Sequence, residues 1–172
     1  MQTGTENAEA IQKVGEMIKG IKIAMLSTID EQGAVRSRPM ATQQVEFDGN
    51  LWFFTKGHSG KADDVQHYQQ VNLSYASPSD SRYVSVMGSG QVVNDRAKMK
   101  ELWNPIYKAW FEGGIDDPDL RLLKVEVAAA EYWDSPGGKV ASAINLIKSV
   151  ATGKRANLGE NKTVRFEDTQ RS

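Results

Sequence analysis

The sequence contains no cysteine in its 172 residues. Disulfides, thiolate zinc sites, iron–sulfur clusters and cysteine nucleophiles are therefore excluded. Histidine is nearly as scarce: His58 and His67 stand alone, with no third ligand at metal spacing, so no metal centre is expected. There is no excess of positive charge, since 21 Lys and Arg face 22 Asp and Glu for a formal charge of -1. A general nucleic-acid or polyanion binder is not expected, and any anion site must be local. No apolar run is long enough to cross a bilayer. The N-terminal segment carries Glu6, Glu9 and Glu16 and lacks a basic start before an apolar run, so it does not read as a signal peptide. A cytoplasmic protein is expected. Enzyme signatures are missing too. No Gly-x-Ser-x-Gly elbow occurs, and Asp116, Asp117 and Asp119 do not follow a calcium-loop pattern. Gly88-Ser89-Gly90 lies inside a strand pattern instead of opening a helix, which suits a bulge better than a dinucleotide fingerprint.

What is present is ordinary for one globular domain: 40% hydrophobic and 25% charged residues. Residues 6–19 show helical spacing, with Ile11, Val14 and Ile18 on one stripe. The period then shortens. Strands are expected over 21–30, 35–47 and 51–55, and Asp48-Gly49 between the last two predicts a hairpin. These three would form an antiparallel meander. A helix over 61–70 follows, then strands over 71–77 and 83–94. Asp95 is a good N-cap for a helix over 96–103, which Pro105 interrupts. A long strand is expected over 120–134, a helix over 140–151 and a flexible tail over 154–172. The organisation is thus an N-terminal helix (1–20), a barrel (21–135) and a C-terminal helix with tail (136–172). Six strands with few helices predict a mainly β protein, a closed or nearly closed antiparallel barrel with peripheral helices.

Two segments could carry chemistry. Arg36 and Arg38 stand two apart in a strand, so they share a face. Two guanidinium groups repel unless an anion lies between them, and their planar forks match phosphate oxygens. The pattern alone fits a solvated strand face equally well. Pro39 lacks a backbone donor and marks an edge or bulge. The second segment, Thr55 to Lys61, leaves a strand and opens a helix. Free N–H groups at a helix start favour anions, Ser59 offers a hydroxyl and Lys61 a charge. By itself this is also an ordinary strand-to-helix loop. The expected hairpin would bring Arg38 and this loop toward one end of the sheet.

In order and spacing, these pieces resemble the pyridoxamine 5′-phosphate oxidase-like flavoproteins, in the general stress protein 26 branch. The resemblance covers roughly residues 11–134. It rests on Arg36-Ser37-Arg38-Pro39-Met40, on Leu51-Trp52-Phe53-Phe54-Thr55 with Ser59 and Lys61, and on residues 83–90. It continues through Leu102-Trp103, Trp110-Phe111, Asp117-Pro118 and Glu131-Tyr132-Trp133-Asp134. The resemblance implies a six-stranded split β-barrel and a homodimer that binds FMN at its interface. By position, Arg38 and Lys61 would hold the FMN phosphate, with Ser59 assisting and Arg36 nearby. Ser37 belongs to the same cofactor-binding strand. Pro39, Met40, Ala41 and Thr42 would line the isoalloxazine ring, and Phe54 and Thr55 would border the ribityl chain. Trp103 or Trp133 would cover the ring. The oxidases carry an Arg-Lys pair at the helix start where this chain has Gly60-Lys61, and Arg36 would replace the missing donor. Their C-terminal substrate segment has no match here, which argues against pyridoxamine phosphate oxidation. The resemblance implies an FMN-dependent oxidoreductase of unidentified substrate, or a non-catalytic flavin-binding stress or sensing protein. Relatives of the fold bind deazaflavin or haem, so these stand as alternative cofactors. No catalytic residue is singled out.

Overall fold

In the computed structural model, residues 4–134 and 160–166 are described. Helix α1 (Gly4–Ile18) buries Ala10, Val14 and Met17 and ends before β1 (Ile23–Ile29). In β1 the period of two is plain: Ala24, Leu26 and Thr28 face in, while Ile23 and Met25 face out. A tight turn leads to β2 (Val35–Ala41), paired antiparallel with β1 so that Thr28 opposes Arg36 and Leu26 opposes Arg38.

Here the chain departs from the expected meander. The strand expected over 35–47 stops at Ala41, and β3 (Asn50–Lys56) makes no ladder with β2. The turn chemistry explains why. Asp48 accepts from the Asn50 N–H at 2.9 Å, an Asx turn, and Gly49 adopts φ +103°. The Gly49 carbonyl then accepts from Val127 N at 3.0 Å, which delivers β3 to a later strand.

Helix α2 (Gly60–His67) follows, then β4 (Gln70–Ser77) and β5 (Arg82–Val93). Asp95 caps α3 (Arg96–Leu102) by accepting from Lys98 N. Pro105 opens a short 3₁₀ turn (Pro105–Ala109), and a second 3₁₀ turn (Gly114–Asp116) leads into β6 (Leu120–Asp134). Along β6, one edge pairs with β5. The other edge is shared, β3 taking Leu120 to Glu126 and β7 (Glu160–Arg165) taking Ala129 to Asp134.

Among the described residues the sheet therefore has seven strands, in the order β2-β1-β4-β5-β6-β3 with β7 also on β6. Six were expected. The seventh lies within the segment read as a flexible tail. Its sequence is too polar to announce a strand, but β6 offers it an unpaired edge. Val164 packs against the core, and the Phe166 ring meets Phe47 edge-on at 6.2 Å. The helix expected over 140–151 lies outside the described residues.

β2 and β3 face each other across the sheet's opening without pairing, so the barrel is split there. The main core fills the inside, with Met17, Leu26, Phe53, Leu73, Val86 and Leu123 all buried. A second cluster covers the outer side of β3, where Phe54 packs with Met99, Leu102, Leu120 and Leu122. Burial on both faces is why β3 reads as an unbroken apolar run.

Candidate functional site

The start of α2 is built by local hydrogen bonds. Ser59 is its N-cap, accepting from Ala62 N at 3.4 Å and donating to the Lys56 carbonyl at 2.8 Å. Thr55, buried at the end of β3, sits 3.1 Å from the Ser59 hydroxyl. On the exposed side His58 Nδ1 lies 2.7 Å from Asp119, whose carboxyl this contact holds below its ordinary pKa.

The buried face of α2 carries Ala62, Val65 and, between them, Asp64. Asp64 is where the two expected segments meet. Its Oδ2 accepts from Thr28 Oγ1 at 2.7 Å and from Arg38 Nη2 at 3.1 Å. Arg38 Nη1 donates to the same Thr28 hydroxyl. The convergence expected from a β2–β3 hairpin is thus achieved by the β1–β2 hairpin docking on α2.

Lys61 completes the group. It is half-buried, and it makes no hydrogen bond or ion pair with any described residue. Burial lowers its pKa first, and the nearby positive charge of Arg38 lowers it further. Two cations and one carboxylate thus share a partly desolvated corner at a helix N-terminus. The surplus charge and the open donors suit a small dianion.

The other expected residues fall into separate places. Arg36 donates from Nε to Asp30 at 2.8 Å and is otherwise exposed. Ser37 points to the outer face, its hydroxyl 2.6 Å from that of Ser27. Pro39 is exposed beside it, Met40 is buried in the main core, and Ala41 is half-buried. Thr42 extends the strand pairing, its backbone N–H donating to Lys22 O and its hydroxyl to Ile21 O. Phe54 belongs to the second cluster, with Trp103 edge-on at 5.4 Å. Trp133 opposes Tyr83, at the other end of the sheet from Thr28 and Arg36. Thr28 and Asp64 were missed in the sequence. Thr28 had a weak signal, since it continues the buried alternation of Ala24 and Leu26. Asp64 had none, because an acidic helix residue reads as solvated.

Asp30 yields a pH prediction. Its carboxylate accepts from the backbone N–H of Ala34 and from Arg36, and also from Gln32 N–H; together these lower its pKa below the ordinary 3.8. A depressed folded pKa contributes stability that is present above the unfolded value and lost as pH falls through the folded one. Asp30→Asn is therefore expected to flatten the acid limb of the stability–pH curve below about pH 4. Denaturant midpoints between pH 2 and 6 check this, and an unchanged acid limb would contradict it.

The outer face of the sheet mixes polar residues such as Ser74 and Ser85 with several exposed apolar side chains. Ile23, Met25, Tyr83, Met87 and Trp133 are each about 40–50% exposed. They come from β1, β5 and β6, with β4 between the first two; Tyr83 stands opposite both Ala76 of β4 and Trp133, so the group is more than scattered single residues.

Residues 9–157 match the family model described as pyridoxamine 5′-phosphate oxidase like. The chain belongs to that family. Among relatives of this oxidase-like chain is Protein bli-3 of Neurospora crassa, 28% identical across 94% of this chain and 82% of that one. The structure of a putative general stress protein 26 from Jannaschia sp. CCS1 superposes with a TM-score of 0.76 at 27% identity, covering 92% of this chain and 99% of that one. A general stress FMN/FAD binding protein from Xanthomonas citri aligns at TM-score 0.62 and 30% identity, over 74% of this chain and 89% of that one. The oxidase-like fold is accordingly the mainly β split barrel. No helix among the described residues is long and apolar enough to cross a membrane.

Proposed function

We propose that this chain is an FMN-binding flavoprotein that grips the cofactor's phosphate with Lys61 and Arg38. The observation that carries the reading is Lys61: a half-buried ammonium near a guanidinium, with no acid paired to it among the described residues. A folded protein keeps such a pair where an anion relieves it. A phosphate monoester carries close to two charges, as FMN does at its terminus. The diphosphate of FAD is buried mid-molecule, so the corner suits FMN better. Ser59 and the first N–H groups of α2 would add donors. From Arg38 along β2 to Thr42, the residue just past its end, is about 13 Å at the usual rise per residue. That span would carry the flavin from its phosphate to its ring, along Pro39, Met40, Ala41 and Thr42. When bound, FMN supplies hydride or electron transfer, and the protein supplies charge and orientation. The activity proposed is that of an oxidoreductase whose substrate is unidentified.

A homodimer follows from the same reading. Within one protomer Trp133 sits far along the sheet from the phosphate corner, on the outer face with its exposed apolar side chains. A second copy packed there would bury that face and offer its tryptophan to the ring.

Purified protein is expected to be yellow and to release a mononucleotide of FMN mass on denaturation. A colourless protein that also fails to take up added FMN would overturn the reading. Met25→Glu, on the β1 side of that face, is expected to turn a dimer into a monomer in sedimentation experiments. A wild-type protein that sediments as a monomer with FMN bound would refute the dimer alone.

A further inference from the structure

A groove of about 780 Å³ runs between α1 and residues 42–47. Small-molecule sites typically hold about 300–1,000 Å³, so the size suits one ligand. Apolar side chains dominate the lining, among them Ile11, Phe47 and Phe53, with Trp52 at the side. The polar residues of the rim carry both signs, Glu16 and Lys19 among them, so charge selects no ion. None of the residues of the phosphate corner lines this groove.

Two polar groups in the groove are without partners among the described residues. The side-chain Nε2 of Gln43 is buried and makes no hydrogen bond. Tyr75 is the more informative. Only 3% of it is exposed, it lines the groove, and its hydroxyl bonds to no described residue. Among the described residues Gln43 Nε2 is the fully buried atom left without a partner, so the Tyr75 hydroxyl keeps some access to the groove, where a bound acceptor would meet it. Burial also raises the Tyr75 pKa well above its ordinary value, so the hydroxyl stays a neutral donor. A neutral donor in an aromatic-walled groove whose rim carries charges of both signs selects a neutral acceptor.

We propose that this groove binds an uncharged aromatic carbonyl compound whose oxygen accepts a hydrogen bond from Tyr75. The groove shares Thr42 with the ring path proposed above but takes its donor from Tyr75, so the proposal does not rest on the flavin reading.

Calorimetry on the full chain tests it with two probes of one shape, 2-acetylnaphthalene and 2-ethylnaphthalene. The ketone is expected to bind saturably and more tightly than the hydrocarbon. Tyr75→Phe should weaken the ketone about fivefold to tenfold, the usual size of one neutral hydrogen bond. It should leave the hydrocarbon unchanged. Ile11→Trp, which fills the groove from α1, should abolish binding of both. Excess FMN should displace neither. Absence of saturable binding would overturn the proposal, as would equal affinity of the two probes for the wild-type protein. Equal losses of both probes in Tyr75→Phe would show that the residue acts through packing, which also overturns it. Displacement by FMN would make the groove part of the flavin site and end the claim of a separate one.

Discussion

Replacing Arg38 with alanine is expected to lower the stability of the ligand-free protein by about 2–4 kcal/mol, whereas Lys61→Ala leaves it unchanged or slightly higher. The two residues look alike in sequence but have opposite surroundings. Arg38 donates to both Thr28 and Asp64, and the Asp64 side chain is only 12% exposed. Its removal leaves a largely buried carboxylate with the Thr28 hydroxyl as its one remaining side-chain partner. Uncompensated buried charge is among the few causes of large single-residue losses. Lys61 has no such partner among the described residues, and its charge is held in an environment that disfavours it. A lysine whose folded pKa lies below its unfolded value opposes folding while charged, and this opposition is relieved as pH rises through the folded pKa. The wild-type protein should therefore gain stability relative to Lys61→Ala on the alkaline side. Urea midpoints of the two variants measure the contrast. Equal losses would mean that Asp64 does not depend on Arg38.

Gly88→Ala is expected to cost about 3 kcal/mol or more, enough to leave much of the protein unfolded or insoluble. The β5–β6 ladder slips by one residue between Met87 and Gly88. At that bulge the strands approach so closely that a Cβ would stand 2.3 Å from the Glu126 carbonyl oxygen and 3.0 Å from Val125 Cγ1. The first contact is with backbone, which cannot rotate away. Relief would require the longest ladder of the sheet to shift, and β6 also carries β3 and β7. Gly60→Ala is the control. A Cβ there meets nothing within 4 Å and the residue opens α2, so stability should be unchanged or rise by a few tenths of a kcal/mol. Thermal unfolding of both variants checks the pair. A Gly88→Ala protein as stable as the wild type would show that the bulge is not a fixed feature.

How far the fold could be read from sequence varied with how local its causes were. The strand over 120–134 was legible end to end, because its apolar run lies between a turn and a Pro-Gly break. The start of α2 was legible from Ser59 and the glycines around it. The β2–β3 relationship was not. Asp48-Gly49 is a strong hairpin signal, yet the partner of β3 is set by Val127, far along the chain. β7 was invisible for a related reason: a polar strand is held by the edge it completes, not by its own pattern.

The candidate site divides the same way. Arg38 and Lys61 were legible as cations at matched positions, and their meeting was foreseen by a route the structure does not use. Asp64 and Thr28, which hold Arg38 in place, were not legible. Their importance arises only when α2 docks against β1. Arg36 was proposed as a substitute phosphate donor, and its bond to Asp30 gives it a separate task at the β1–β2 turn.

The central claim is that Lys61 exists for a phosphate. Titrating FMN and riboflavin in parallel into the ligand-free wild type and Lys61→Ala, followed by flavin fluorescence, tests it most directly. FMN should bind the wild type far more tightly than riboflavin. The substitution should weaken FMN by about 10- to 150-fold, the equivalent of a charge-assisted hydrogen bond worth roughly 1.5–3 kcal/mol, and leave riboflavin unaffected. Equal affinity for the two flavins, or an equal loss of both in the variant, would contradict the account.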